Sequence, residues 1–160
     1  MRVRKQAGFS LIELLIVVAI ILIIAAIAIP NFLRAKISAN ESSAVSSVHA
    51  IDTAEITYST MFNSIGFSAS LPDLGDGGTT PCPMTMNASC FIDRALASGT
   101  KSGYTFSYVQ DTSSTPSINF TINADPVTPD ITGQRGFYSD SSNVIRAASV
   151  APANISSPPL

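Results

Sequence analysis

From Leu14 to Ile29 sixteen consecutive residues carry no charge and no polar side chain, and a carboxylate, Glu13, stands at the head of that run. Few folds accept such a stretch. A helix on the surface of a small soluble domain would show a polar face every turn, and this run has none. Taken as a helix from Phe9 to Ile29, it rises about 31 Å and matches a hydrocarbon core of roughly 30 Å. An acid against lipid is disfavoured by about 3 kcal/mol on insertion scales, so Glu13 calls for a role and a partner. The alternative is that it merely sits at the headgroup boundary.

Arg2, Arg4 and Lys5 precede the run, and Gly8 marks the border between charge and apolar sequence. Basic residues followed by an apolar segment read as an export signal whose start stays in the cytoplasm. Three fates are open. A secretory peptidase would use Ala26-Ile27-Ala28, a small-x-small pattern; the segment would stay as an uncleaved anchor; or only the basic leader would be removed, leaving the apolar helix on the mature protein.

Beyond the run, the 160-residue chain leaves enough length for one domain with a core. That remainder is poor in charge, rich in Ser, Thr, Gly and Pro, and without Trp, a composition that fits a small extracytoplasmic β-containing domain. The formal charge of −2 hides an asymmetry, because from Phe9 onward six basic residues face eleven acidic ones. No basic patch follows residue 8, which argues against nucleic acid as a partner. Cys82 and Cys90 are close in sequence. In an exported domain they read as a disulfide closing a short loop, with free thiols or half of a metal site as the alternatives.

Pro30 ends the apolar run; it removes one backbone donor and crowds the carbonyl of Ala26, so a kink or local melting is expected there. From Asn31 to Phe62 neither Pro nor Gly occurs, and Ala44, Val48, Ile51, Ala54, Tyr58 and Met61 recur at steps of three and four. Ser42, Ser46, His49, Thr53 and Thr57 fall on the other side. The pattern predicts an amphipathic helix, residues 31–62, continuous with the apolar helix, residues 9–30, and about 80 Å long in all. His49 is the sole histidine and lacks a second ligand in helical register, so it reads as solvated.

The glycines and prolines of residues 63–90 exclude long regular elements. Phe91 to Ala97 suits a short helix, with Asp93 near its start and Gly99 past its end. Then the period changes to two. Tyr104, Phe106 and Tyr108 alternate with polar residues, as do Ile118, Phe120 and Ile122, which predicts two half-buried strands joined across Asp111–Pro116. Gly136-Phe137-Tyr138 and Val144-Ile145-Arg146 predict another hairpin around Ser139–Asn143. Residues 63–150 therefore form a head of loop and antiparallel sheet laid on the apolar stripe of the helix, an α+β fold, and residues 151–160 read as a flexible tail or a strap.

Gly8-Phe9-Ser10-Leu11-Ile12-Glu13 behind a short basic leader resembles the prepilin signature shared by type IV pilins and type II secretion pseudopilins. The resemblance covers roughly 25 of the 160 residues. It implies a pilin-like fold with the apolar half of the helix protruding, cleavage by a prepilin peptidase between Gly8 and Phe9, and methylation of Phe9 as the new N-terminus. It also implies that Glu13 of one subunit meets the Phe9 amine of a neighbour during assembly, and that residues 26–33 around Pro30 are a flexible joint. The implied partners are further copies of the chain in a helical filament, the membrane before assembly, and an inner-membrane assembly platform. The implied location is the bacterial inner membrane first, and an extracellular or periplasmic filament afterwards.

No catalytic constellation is apparent: there is no Gly-x-Ser-x-Gly, no metal-binding histidine pair and no phosphate-cradling glycine loop, so an enzyme is not expected. Nor is a cofactor expected. Type II secretion pseudopilins bind calcium in a C-terminal loop, which raises the question for Asp125, Asp130 and Asp140; Pro126 and Pro129 interrupt these acids, and turn residues are the better reading. Two function classes remain: a structural filament subunit, with a major type IV pilin favoured over a pseudopilin or minor pilin, and a secreted or tethered binding domain whose N-terminal segment only exports it.

Overall fold

Between Gly8 and Gly66 the sequence contains no glycine and a single proline, and nearly all of that interval is one helix. A computed structural model describes residues 9–78 and 81–160, so the basic leader with Arg2, Arg4, Lys5 and Gly8 lies outside the described residues. Helix α1 spans Leu11–Met61. The chain divides into two compact units, the first ending at Ala35 and the second being Lys36–Leu160; the division falls past Pro30.

In the first unit every residue from Leu11 to Ala35 except Ala25 is exposed in the single chain. The most apolar stretch has a mean hydropathy of 3.3 over 18 residues, none of them buried. In the single chain α1 runs through Pro30 without interruption, so of the kink or local melting expected there no melting is seen in this state. The proline lacks the one donor that would reach Ala26, and the ladder bonds on either side carry the helix across.

The second unit is built on the other half of α1. Ala44, Val48, Ile51, Ala54 and Tyr58 are buried, whereas Ser42, Ser46, His49, Thr53 and Thr57 are exposed, as the spacing predicts. Met61, the last of the predicted stripe, is half exposed because the helix ends there. The chain reverses through a turn to Gly66 at φ +85, where a side chain would collide with the backbone of Ser117, its bridge partner.

Two one-turn helices follow, α2 at Leu71–Leu74 and α3 at Arg94–Ala97. The predicted signals for α3 hold: the Leu96 N–H donates to Asp93 Oδ1 at 3.0 Å, and Gly99 stops the helix at φ +81. Cys82 and Cys90 are joined by a disulfide.

Five antiparallel strands form a meander in the order β1-β2-β3-β4-β5: β1 Thr100–Lys101, β2 Tyr104–Gln110, β3 Phe120–Pro126, β4 Gly136–Asp140 and β5 Arg146–Ala148. Opposite residues run from Tyr104 against Pro126 to Gln110 against Phe120. Tyr104, Phe106, Phe120, Ile122, Ala124 and Phe137 turn inward and join the α1 stripe, Leu71, Leu74 and Leu96 in one core. Ile118, expected to begin an inward alternation, is exposed, and β3 starts only at Phe120.

Of the two readings of residues 151–160, tail or strap, the hydrogen bonds favour the strap. Asn123 Nδ2 donates to Ala153 O at 2.7 Å, the Ala147 N–H to Pro158 O at 2.9 Å and the Leu160 N–H to Ile145 O at 3.0 Å. The prolines exclude a regular strand but leave their carbonyls free to accept, so the segment straps the outer edge of β5, with Arg146 bridged to Pro159.

Candidate functional site

Ser10-Leu11-Ile12-Glu13 has the spacing of a capping box, in which the acid of the first turn reaches back to the backbone donor of the cap residue. The structure places it so: the Ser10 N–H donates to Glu13 Oε2 at 3.0 Å, and the Leu14 N–H donates to Ser10 O at 3.3 Å. Glu13 therefore caps the helix it starts, with its carboxylate at the N-terminal end of the helix dipole. Its neighbours Phe9, Leu11, Ile12 and Leu14 are all exposed. One Glu13 oxygen is engaged within the chain. The other stands among apolar side chains, where a cation brought by another molecule would find a strong acceptor. The sequence reading gave Glu13 an intermolecular role and missed this local one, although the Ser10-to-Glu13 spacing carries its signal. Of the other predicted positions, Pro30 lies inside α1, and the disulfide belongs to the head.

The head half of α1 holds three more carboxylates, and these are buried. Glu41 Oε1 accepts the Gln134 N–H at 3.0 Å and the Arg135 N–H at 3.1 Å, and its Oε2 takes Arg135 Nε at 2.9 Å. Burial works to raise the Glu41 pKa, but the hydrogen bonds from Gln134 and Arg135, together with the guanidinium charge, hold it below the ordinary carboxylate value. Glu55 is fully buried; it accepts from the Ser68 N–H at 2.9 Å and from Ser68 Oγ, and burial raises its pKa despite these bonds. Tyr108 closes the group by donating its hydroxyl to Ser68 O at 2.8 Å.

Asp52 receives Ser139 Oγ at 2.7 Å on one oxygen, and its other oxygen is buried without a partner. Burial pushes its pKa up to about 6, against the lowering influence of the Ser139 bond and of His49. Sequence reasoning passed over these acids. Yet Glu41, Ala44, Val48, Ile51, Glu55 and Tyr58 repeat at three and four residues without a break, so two of the carboxylates sit in the stripe itself.

His49 is exposed, with Nδ1 3.3 Å from Thr53 Oγ1. Asp140 Oδ1 accepts the Ser142 N–H at 2.9 Å, the arrangement of a turn residue. Among the described residues no three His, Cys, Asp or Glu side chains gather as metal ligands.

A long helix that is wholly apolar in one half and amphipathic in the other, with an antiparallel sheet on the amphipathic half, defines a pilin-like α+β architecture. Residues 3–29 match the prokaryotic N-terminal methylation motif. The chain is similar to the type IV major pilin protein PilA of Myxococcus xanthus, 45% identical over 71 residues, or 40% of this chain and 32% of that protein. It is similar also to the type IV wide pilus major component PilA4 of Thermus thermophilus, 59% identical over 39 residues, 24% of this chain and 30% of that one. A third relative is the type II secretion system core protein G of Vibrio cholerae, 40% identical over 53 residues, 33% of this chain and 36% of that one. The chain spans about a third of the length of these curated relatives. No solved structure matches it significantly. The chain thus carries the methylation motif and is related to both type IV pilins and type II secretion core proteins.

Proposed function

We propose that this chain is the subunit of a helical surface filament, a major type IV pilin. One observation carries the reading: the methylation motif opens onto an apolar helix with one carboxylate at its start and, among the described residues, none of its most apolar stretch buried. Such a surface needs lipid or other helices around it. In the proposed cycle the precursor waits in the inner membrane, prepilin peptidase cuts between Gly8 and Phe9, and Phe9 is N-methylated. The assembly platform then lifts the helix into a bundle of its copies. Moving an apolar helix from lipid to a helix bundle is a near-balanced exchange, so packing and polar pairing decide the outcome. The new amine of Phe9 in a neighbouring subunit supplies a cation for the second Glu13 oxygen, which has no partner among the described residues. Such a pair sets position more than stability, because desolvation offsets much of the attraction.

N-terminal sequencing and intact mass of the mature protein test the reading. A chain starting at methylated Phe9 is expected; a start at Ile29 would reduce the segment to a secretory signal and favour a secreted binding domain. The similarity to core protein G favours a second reading, a type II secretion pseudopilin. The longer match to the Myxococcus xanthus pilin supports the first. Electron micrographs separate them, with long fibres outside the cell for a pilin and none for a pseudopilin.

A further inference from the structure

The two edges of the sheet are treated differently. Beyond β5 the strap supplies partners, since the Ala147 N–H donates to Pro158 O at 2.9 Å and the Leu160 N–H donates to Ile145 O at 3.0 Å. At the other edge β1 is two residues long and faces only Tyr104 and Thr105 of the seven residues in β2. One further bond, from the Phe106 N–H to Gly99 O at 2.8 Å, ends that cover.

The backbone groups of an antiparallel strand alternate between its two sides. The Phe106 N–H points away from β3, and the Asp111 N–H points along the β3 side, to Asn119 O at 2.9 Å. Tyr108 and Gln110, in step with Phe106, therefore turn their N–H and C=O groups to the open side. These four groups have no partner among the described residues.

Nor is this edge guarded. Proteins protect a free edge with charge, proline, a bulge or a covering segment. Phe106-Ser107-Tyr108-Val109-Gln110 has neither charge nor proline, and it pairs with β3 without a bulge. Beside it lies a hollow of about 240 Å³ whose walls include Ser70, Leu71, Pro72 and Ala97 together with Phe106 and Tyr108. Phe106 is buried in the core and Tyr108 packs against it, so a residue paired opposite Tyr108 sets its side chain towards the hollow.

Donors and acceptors alternating at strand spacing beside such a hollow match one kind of ligand, an extended backbone. We propose that the Tyr108–Gln110 edge of β2 takes an extended segment of another polypeptide, antiparallel to β2, with an apolar side chain in the hollow. A second copy of this chain does not suit the edge. Two β2 edges pair only about a two-fold axis, and the parallel subunits of the filament reading above are not so related.

The test uses the detergent-solubilised full-length protein and a fluorescein-labelled peptide of alternating Val and Thr with Lys at both ends, read by fluorescence anisotropy. Saturable binding with a Kd on the order of 0.1 mM is expected. In an antiparallel pair the Val residues that enter the hollow opposite Tyr108 also turn their N–H groups to β2. N-methylation of the Val nitrogens should weaken binding about tenfold, and N-methylation of the Thr nitrogens should change it less than about twofold. Hydrogen exchange of the Tyr108 and Gln110 amides should slow in the complex. Gln110→Pro removes an edge donor and should weaken binding about tenfold, whereas Gln110→Ala loses only the side-chain bond to Phe67 O at 2.7 Å and should bind as the wild type does. No binding at about 1 mM peptide, equal loss from the two methylated peptides, or unchanged exchange at Tyr108 and Gln110 overturns the proposal. So does a concentration-dependent dimer, seen by sedimentation, that Gln110→Pro abolishes, because it gives the edge to a second copy.

Discussion

The two halves of α1 handle a carboxylate in opposite ways. Residues 11–35 carry one acid, Glu13, exposed among apolar side chains and half satisfied by its own helix cap. The head half carries Glu41, Asp52 and Glu55, all buried, with Arg135, Ser139 and Ser68 bound to them. One half meets its acids almost wholly within the chain, the second oxygen of Asp52 being the exception. The other is finished only by something outside it. A helix with its apolar surface uncovered on every side is incomplete for the same reason that an unsatisfied acid is, and both are completed by a second helix carrying a cation.

The comparison breaks most sharply at Glu13. Glu13→Ala should abolish or severely reduce fibres while cleavage continues and the head melts unchanged, because among the described residues the carboxylate bonds only to its own cap. Immunoblotting of sheared fibres and mature mass read the two effects. Normal fibres from this variant would remove the basis for pairing with the Phe9 amine.

Next in size is a paired test of apolar residues. Ile51 is fully buried in the head, and Ile51→Ala should lower the stability of the detergent-solubilised protein by about 3–4 kcal/mol. Ile21→Ala removes the same atoms from a side chain that is more than half exposed. It should leave thermal unfolding unchanged and weaken fibres instead. Equal loss of head stability in both variants would contradict the division of labour along α1.

Much of this division was legible in the residues. The apolar run, the three-and-four spacing after Pro30 and the alternation at Tyr104–Tyr108 depend on side-chain pattern, and pattern survives in one dimension. The buried acids were not read, because a search for apolar periodicity skips Glu41 and Glu55 even where they occupy its register. What makes them acceptable there is supplied by Gln134, Arg135 and Ser68, distant or separately folded segments that no local window contains. The sequence left residues 151–160 open between a flexible tail and a strap for a related reason: the hydrogen bonds of the strap are made by backbone groups, which leave no trace in composition. The cap at Ser10 and Glu13 was visible but was eclipsed by the acid's more conspicuous apolar setting.

A smaller effect is expected at Ser68, which gives the fully buried Glu55 both a backbone and a hydroxyl donor. Ser68→Ala removes the hydroxyl and should cost about 2 kcal/mol near neutral pH. Glu55 has a raised pKa, so protonation relieves part of the loss and the deficit should shrink in acid. Thermal melts at pH 4 and pH 7 measure the difference. A deficit independent of pH would mean that lost packing outweighs the bond.

Asp52 gives the smallest effect and the most specific sign. Its folded pKa of about 6 lies above the ordinary value of 3.8, so the folded chain holds this proton more tightly than the unfolded chain does. The stability it contributes is complete below about pH 4 and is lost as pH rises through about 6. Asp52→Asn keeps the shape and an acceptor for Ser139 but cannot ionise, so melts should lose most of the fall between pH 4 and pH 8. The amide nitrogen inherits the position of an oxygen that has no partner, which cancels part of the gain and leaves a net stabilisation on the order of 1 kcal/mol at pH 8. An unchanged pH slope would mean that Glu55 or Asp125, whose pKa values burial also raises, carries the titration. Because Asp52 faces the head and not the apolar surface, fibre yield at neutral pH should not change in this variant.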